Sequence, residues 1–191
     1  MAFYSQDELA SFGFKKLGSN VLISVDSRIY SPEKISIGSN VRVDDFCILS
    51  GIVEIGSNVH LAPGVQLAAG ASQIILNDFS GLAFNVVVTA SSDDYSGGSL
   101  TNPTVPSKYK SKKTEAPVII GRHVIVGTGS FIMPGVTIGD GAAVGALALV
   151  NKSLPEWGVY VGAPARKVKE RSKDILDLEK RYFDDLKKEY K

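Results

Sequence analysis

The stretch Ile37-Gly38-Ser39-Asn40-Val41-Arg42, followed by Val43-Asp44-Asp45-Phe46-Cys47-Ile48 and Leu49-Ser50-Gly51-Ile52-Val53-Glu54, decides the fold. An aliphatic residue opens each hexad, and four places later stands a residue that is nearly always small or β-branched. A six-residue period fits neither a lone helix, whose faces return at about 3.6 residues, nor a flat strand, whose faces return at about 2. It fits a chain that turns a corner after every hexad and stacks each coil on the one before. Working outward, the leaders fall in threes: Leu17, Ile23, Ile29; Ile37, Val43, Leu49; Ile55, Leu61, Leu67; Leu76, Leu82, Val88; then, after a break, Ile120, Val126, Ile132; Ile138, Val144, Val150. Each trio makes one triangular coil of about eighteen residues, giving roughly six coils. The small residues, such as Cys47, Val65, Ser80, Ser130 and Ala148, are expected at the corners. Glycines directly after a leader (Gly18, Gly38, Gly56, Gly121, Gly127, Gly139, Gly145) are expected because tight corners tolerate glycine best.

One coil cannot bury its aliphatic wedge alone. Stacking at about 4.8 Å satisfies backbone groups from coil to coil and builds a continuous core. The open ends then need caps. Ser5-Gln6-Asp7-Glu8 has the form of a capping box ahead of Leu9. A charged amphipathic helix is expected from about Lys167 to Tyr190, with Ile175, Leu178, Tyr182 and Leu186 on one face. The expected organisation is therefore a helical cap over 1–16, the coil domain over 17–166 with an extended loop at 94–119, and a C-terminal helix over 167–191.

With 191 residues and 44% hydrophobic content, one domain with appendages is expected. A net charge of +1 gives no bulk attraction to nucleic acid or membrane. The N-terminus has no cationic segment followed by an apolar run, and no apolar stretch approaches a membrane span, so neither a secretory signal nor a membrane anchor is expected and the cytoplasm is the default location. Cys47 is the single cysteine, which excludes an internal disulfide; it reads as a small buried residue rather than a nucleophile. The only two histidines, His60 and His123, are too few for a three-histidine zinc site, and no CxxC or HExxH motif points to a metal.

The repeat, the segment Ile132-Met133-Pro134-Gly135-Val136-Thr137-Ile138-Gly139 and the closing Val161-Gly162-Ala163-Pro164-Ala165-Arg166 resemble the hexapeptide-repeat acyltransferases over roughly residues 17–170. The segments Asp44-Asp45-Phe46-Cys47-Ile48-Leu49-Ser50-Gly51 and Ser92-Asp93-Asp94-Tyr95-Ser96-Gly97 are similar to those of bacterial members that acylate the amino group of dTDP-linked amino-dideoxy sugars for surface glycans such as O-antigen. The resemblance implies an all-β chain wound as a left-handed parallel β-helix. It also implies a homotrimer with active sites between neighbouring prisms. The donor would be acetyl-CoA or another short acyl-CoA, used as a co-substrate with no permanently bound cofactor.

The hexads stop after Val88-Thr89-Ala90-Ser91-Ser92-Asp93 and resume at Ile120. An interruption of about 26 residues is long for a structureless connection, and such loops are usually functional or disordered. This one carries Pro103, Pro106, Pro117 and the basic run Lys108-Tyr109-Lys110-Ser111-Lys112-Lys113. In the galactoside and maltose acetyltransferases that the chain resembles, a histidine base lies eight residues after an asparagine. Here that asparagine is Asn85, and the eighth residue after it is Asp93. An alcohol needs a strong, well-placed base such as histidine. A sugar amine, with a pKa of roughly 8, is already partly neutral and needs only an acceptor for the proton it sheds. Asp93 is therefore expected to orient the amine and take its proton, with Asp94 the alternative. A plain Asp- and Gly-rich turn would read the same.

On the donor side, the small corners Gly127, Thr128, Gly129, Gly145 and Ala146 leave room for a pantetheine arm. Thr128 and Ala146 match the family's arm positions, with Asn151, Lys152, Arg166 and Lys169 near the adenine and phosphates. For the nucleotide sugar, Tyr30, Arg42, Asp44 and Asp45 are candidate polar contacts, the lysine-rich loop is within reach of the diphosphate, and His60 would approach the sugar or line a subunit interface. An exposed charged strip of a solenoid has the same appearance. Two rival functions stand beside N-acylation: a sugar O-acetyltransferase of the galactoside or maltose type, and a silent β-helix used as a scaffold.

Overall fold

Strand pairing resolves the hexads into three faces. In a computed structural model describing residues 2–189, all ladders within the coils are parallel, and leader lies on leader. On the first face Ile37 pairs with Ile55, Ile55 with Leu76, Leu76 with Ile120, and Ile120 with Ile138. The second face runs Val43, Leu61, Leu82, Val126, Val144, Tyr160 through neighbouring strands, and the third runs Ile29, Leu49, Leu67, Val88, Ile132, Val150. Every leader is buried except Leu17 and Ile29, which lie in the first coil and are partly covered. Each such aliphatic contributes roughly 1.5–3 kcal/mol on burial, so the stacked interior is the main stabilising term.

Two expectations about the corners are corrected. The small residues four places after a leader are interior: Cys47, Val65, Val86, Ser130 and Ala148 are all buried. The bend itself is one place earlier, where the backbone is left-handed at Asn20, Asn40, Asn58, Asn85, Gly129 and Gly141. Asn and Gly enter that region most easily. Phe46, Phe79, His123, Leu147 and Trp157 occupy the same position against that preference. The glycines that follow leaders have a different cause from the one expected. A Cβ on Gly38 would lie 2.6 Å from the Gly56 carbonyl carbon, and one on Gly127 would lie 2.5 Å from the Ala146 nitrogen. Close coil-to-coil approach excludes a side chain there.

Departures from the rhythm collect at one edge, where the third face turns into the first. The 3-10 turn Pro32–Lys34, the extra residues after Ala69 and the long loop all emerge there. The loop is not structureless. Ser91–Asp93 pairs antiparallel with Lys113–Glu115, and Ser107–Tyr109 forms a 3-10 turn. The coil resumes at Val118–Ile120.

At the N-terminus α1 (Gln6–Ser11) carries the expected reciprocal capping box between Ser5 and Glu8, and its Leu9 is buried. At the C-terminus the expected helix from Lys167 is corrected. Arg166–Glu170 is an edge strand antiparallel to Gly158–Val161, and α2 starts at Ile175 (Ile175–Glu189). Tyr190, the expected helix end, lies outside the described residues. The helix rests on the edge between the first and second faces. There Phe79 and His123 stack at 5.0 Å, and Tyr182 and Phe183 meet Phe79 edge-on. Among the described residues no helix is long and apolar enough to cross a membrane.

Candidate active site

The antiparallel hairpin at the irregular edge sets the two adjacent aspartates in different surroundings. Asp94 turns its carboxylate into its own loop, accepting from the Ser96 amide (2.9 Å), the Ser96 hydroxyl (2.6 Å) and the Gly98 amide (2.8 Å). The Ser96 hydroxyl and amide hold the Asp94 carboxyl below its ordinary range. Asp93 is exposed, and one of its oxygens accepts from the Asn102 amide at 3.1 Å. Its other oxygen has no partner among the described residues. Asp94 is thus committed to shaping a turn, whereas Asp93 has lone pairs available to an incoming donor.

Three cavities open on Asp93. One, of about 370 Å³, runs over the third face between Ala68, Val87, Thr89, Phe131 and Met133. A second, of about 380 Å³, is mixed in character, with Ser92, Asp94, Thr114 and Asn151 facing Tyr95, Met133 and Pro134 across it. A third, of about 350 Å³, lies within the loop between Asn102, Pro103, Ser107, Lys110 and Lys113. A further groove of about 390 Å³ on the first face, between Lys16, Ser36, Glu54 and Asn77, holds none of the expected residues.

The expected nucleotide-sugar contacts fall into separate places. Arg42 and His60 project from neighbouring strands of the second face and meet on Asp44: Arg42 Nε donates to Oδ1 at 2.6 Å, and His60 Nε2 lies 2.7 Å from Oδ2. Asp44, expected as a surface contact, is 3% exposed and has both oxygens engaged, so it holds His60 rather than reaching outward. Burial pushes its carboxyl up, but the hydrogen bonds from His60 and Arg42 outweigh that and hold it below the ordinary range. Arg42 also lies over the Phe3 ring at 5.5 Å. Asp45 accepts from the Ser24 hydroxyl at the next corner. Tyr30 is exposed on the third face of the first coil. Asn85 occupies a left-handed corner, lying over Gly64 at the far end of the strand that leads to Asp93.

The expected donor residues are also dispersed within one chain. Gly127, Thr128, Gly145 and Ala146 stack at the edge between the second and third faces. Asn151 and Lys152 follow Leu149–Val150 at the opposite end of the third face, and Asn151 lines the second cavity beside Asp93. Arg166 and Lys169 are exposed on the antiparallel edge strand. Lys113, from the basic run noted in the sequence, lies directly across the hairpin from Asp93; sequence reasoning missed that pairing and missed Asn102, whose amide holds Asp93. Hexad spacing carries no signal for an antiparallel pairing within an insertion.

Residues 117–152 match the family described as "Bacterial transferase hexapeptide (six repeats)". The dTDP-4-amino-4,6-dideoxy-D-glucose acyltransferase of Escherichia coli is 39% identical over 182 residues, covering 94% of each chain. This chain belongs to the hexapeptide-repeat acyltransferases. The structure of AntD, an N-acyltransferase from Bacillus cereus in complex with dTDP and 3-hydroxybutyryl-CoA, is 47% identical with a TM-score of 0.94, covering 97% of this chain and 98% of that one. The left-handed parallel β-helix expected of a hexapeptide-repeat acyltransferase is the fold observed. Galactoside O-acetyltransferase of Escherichia coli (strain K12) is a more distant member, 30% identical over 160 residues and covering 76% of this chain and 75% of its own.

Proposed function

We propose that the protein transfers an acetyl or other short acyl group from acyl-CoA to the amino group of a dTDP-linked amino-dideoxy sugar, for surface-glycan synthesis in the cytoplasm. The observation that carries this reading is the exposed carboxylate of Asp93, with one oxygen anchored by the Asn102 amide and the residue bordering three cavities. The neutral sugar amine attacks the thioester carbonyl, and a tetrahedral intermediate forms. The nitrogen's proton passes to Asp93 as the C–S bond breaks and CoA leaves. A carboxylate suffices because the amine is itself nucleophilic near its pKa of roughly 8. A backbone amide at the donor edge would hold the oxyanion; of the two candidates there, Gly127 and Thr128, the Gly127 amide is already bonded to the Val144 carbonyl at 2.7 Å, which favours Thr128. Direct transfer is favoured because the one thiol, Cys47, is buried and its pKa is pushed up to about 11 by that burial.

A homotrimer accounts for the dispersal of the expected residues. Thr128 and Ala146 lie at a different edge from Asp93, and a neighbouring prism would bring its own copy of that edge to Asp93. Proximity of two bound substrates at such a seam supplies much of the acceleration. The acceptor test uses acetyl-CoA with dTDP-4-amino-4,6-dideoxyglucose, its 3-amino isomer and a simple galactoside, reading CoA release. Release with an amino sugar is expected. Release with the galactoside alone would move the assignment to O-acetylation, and a trimer that consumes no donor would favour a scaffold.

A further inference from the structure

The loop cavity beside Asp93 has a composition that the acyl-transfer step does not use. Asp93 and Lys113 are directly opposed in the antiparallel ladder, so their side chains leave the hairpin on the same side. Lys113 nevertheless pairs with Glu115 at 2.6 Å and leaves Asp93 unneutralised. Across the cavity the Lys110 ammonium spends one of its three donors on the Asn102 carbonyl, at 2.8 Å. The other two lysines of the run do not line this cavity. Lys108 lies over its own neighbour, the Tyr109 ring, and Lys112 crosses the Asp94–Gly98 turn. Lys110, Lys113 and Ser107 therefore line one cavity with Asn102, Pro103 and Asp93, whose carboxylate is expected to meet the amine.

We propose that Lys110 and Lys113 hold the diphosphate of the nucleotide-linked acceptor, an inference that rests on the function proposed above. A pyranose ring fixes the separation. With single bonds of about 1.5 Å, an amine on the ring and the first phosphorus beyond the anomeric oxygen are on the order of 6–7 Å apart. An amine at Asp93 thus puts its diphosphate within reach of the cations that share the cavity. The diphosphate of CoA carries the same chemistry, but it is separated from the reacting carbonyl by the whole pantetheine arm. The Lys113–Glu115 pair is no obstacle, because a partly exposed ion pair is weak and the diphosphate brings more charge than one carboxylate.

The test is binding of dTDP, thymidine and CoA to the wild type, to Lys110→Ala and Lys113→Ala, to the double variant, and to Lys110→Arg with Lys113→Arg. Each alanine variant is expected to weaken dTDP by about tenfold, as loss of a charge-assisted hydrogen bond does. The double variant loses more, while thymidine and CoA binding stay unchanged. The arginine pair should keep most of the affinity for dTDP, and the KM for the amino sugar should rise with little change in kcat. Undiminished dTDP binding in the double variant, or weakened CoA in place of dTDP, would overturn the assignment while leaving the acyltransferase reading standing. A wild-type protein that bound no dTDP would remove both.

Discussion

Two edges of the prism are built from the same hexads and have opposite characters. Along the edge between the first and second faces, corners repeat and lock together. Asn20 Nδ2 donates to Asn40 Oδ1 at 2.8 Å, the Ser39 amide to Ser57 Oγ at 3.0 Å, the Ser57 amide to Asp78 Oδ1 at 2.7 Å, and the Arg122 amide to Asp140 Oδ1 at 2.8 Å. Along the edge between the third and first faces, every insertion is accommodated, and there Asp93 stands with an unengaged oxygen. The regular edge pairs its corner groups from coil to coil. The irregular edge leaves polar groups open because its residues are outside the stacking register.

The largest effect should separate the two aspartates at the irregular edge. Asp93→Asn is expected to lower kcat/KM by about 10²–10⁴, the usual range for a lost proton acceptor, with the fold unchanged by circular dichroism. Asp94→Asn should cost less and act by loosening the turn that Ser96 and Gly98 close on it. Equal losses in both would erase the distinction.

On the interior side, Leu67→Ala removes a fully buried leader and should destabilise the protein by about 2–5 kcal/mol in denaturant unfolding. A glycine pair sharpens the coil-contact argument. Gly38→Ala drives a methyl into the Gly56 backbone and should lower the melting temperature, whereas Gly81→Ala meets nothing within 4 Å and should be within about 0.5 kcal/mol of wild type. Equal tolerance of both would show that close approach is not why the glycines are there.

The smallest effect is a pH dependence at the regular edge. His123 is buried against Phe79 and faces Arg122, Arg171, Glu179, Asp140 and Asp78. Burial, then Arg122 and Arg171, lower its pKa; Glu179 lies 3.0 Å away, but its carboxylate is already engaged by Arg122. The folded state therefore favours neutral His123. Its contribution is complete above the ordinary histidine value of about 6.5 and is lost as pH falls through the lower folded value. Melting temperature should fall between pH 7 and 5, and His123→Asn, which suits the left-handed backbone, should flatten that slope.

The stacked faces were legible because burial imposes them hexad by hexad; Ile37, Ile55 and Leu76 align as their spacing demands. Asp93 was legible as a candidate from the resemblance to the galactoside and maltose acetyltransferases, as the residue eight places after Asn85. What separates it from Asp94 was not, since the distinction is made by Ser96, Gly98 and Asn102 through loop hydrogen bonds that no periodicity encodes. Arg166–Glu170 misled for a physical reason. Its charged residues suit an exposed edge strand as well as a helix, and only pairing with Gly158–Val161 decides between them. The Asp44 bridge was hidden because burial of a carboxylate depends on two partners, Arg42 and His60, from neighbouring coils.

The most direct measurement is a crystal structure of the protein with CoA and dTDP-4-amino-4,6-dideoxyglucose. The amine nitrogen should lie about 2.6–3.2 Å from the free Asp93 oxygen, facing the CoA sulfur across a boundary between two copies. An amine bound away from Asp93, or both substrates held within a single prism, would contradict the account.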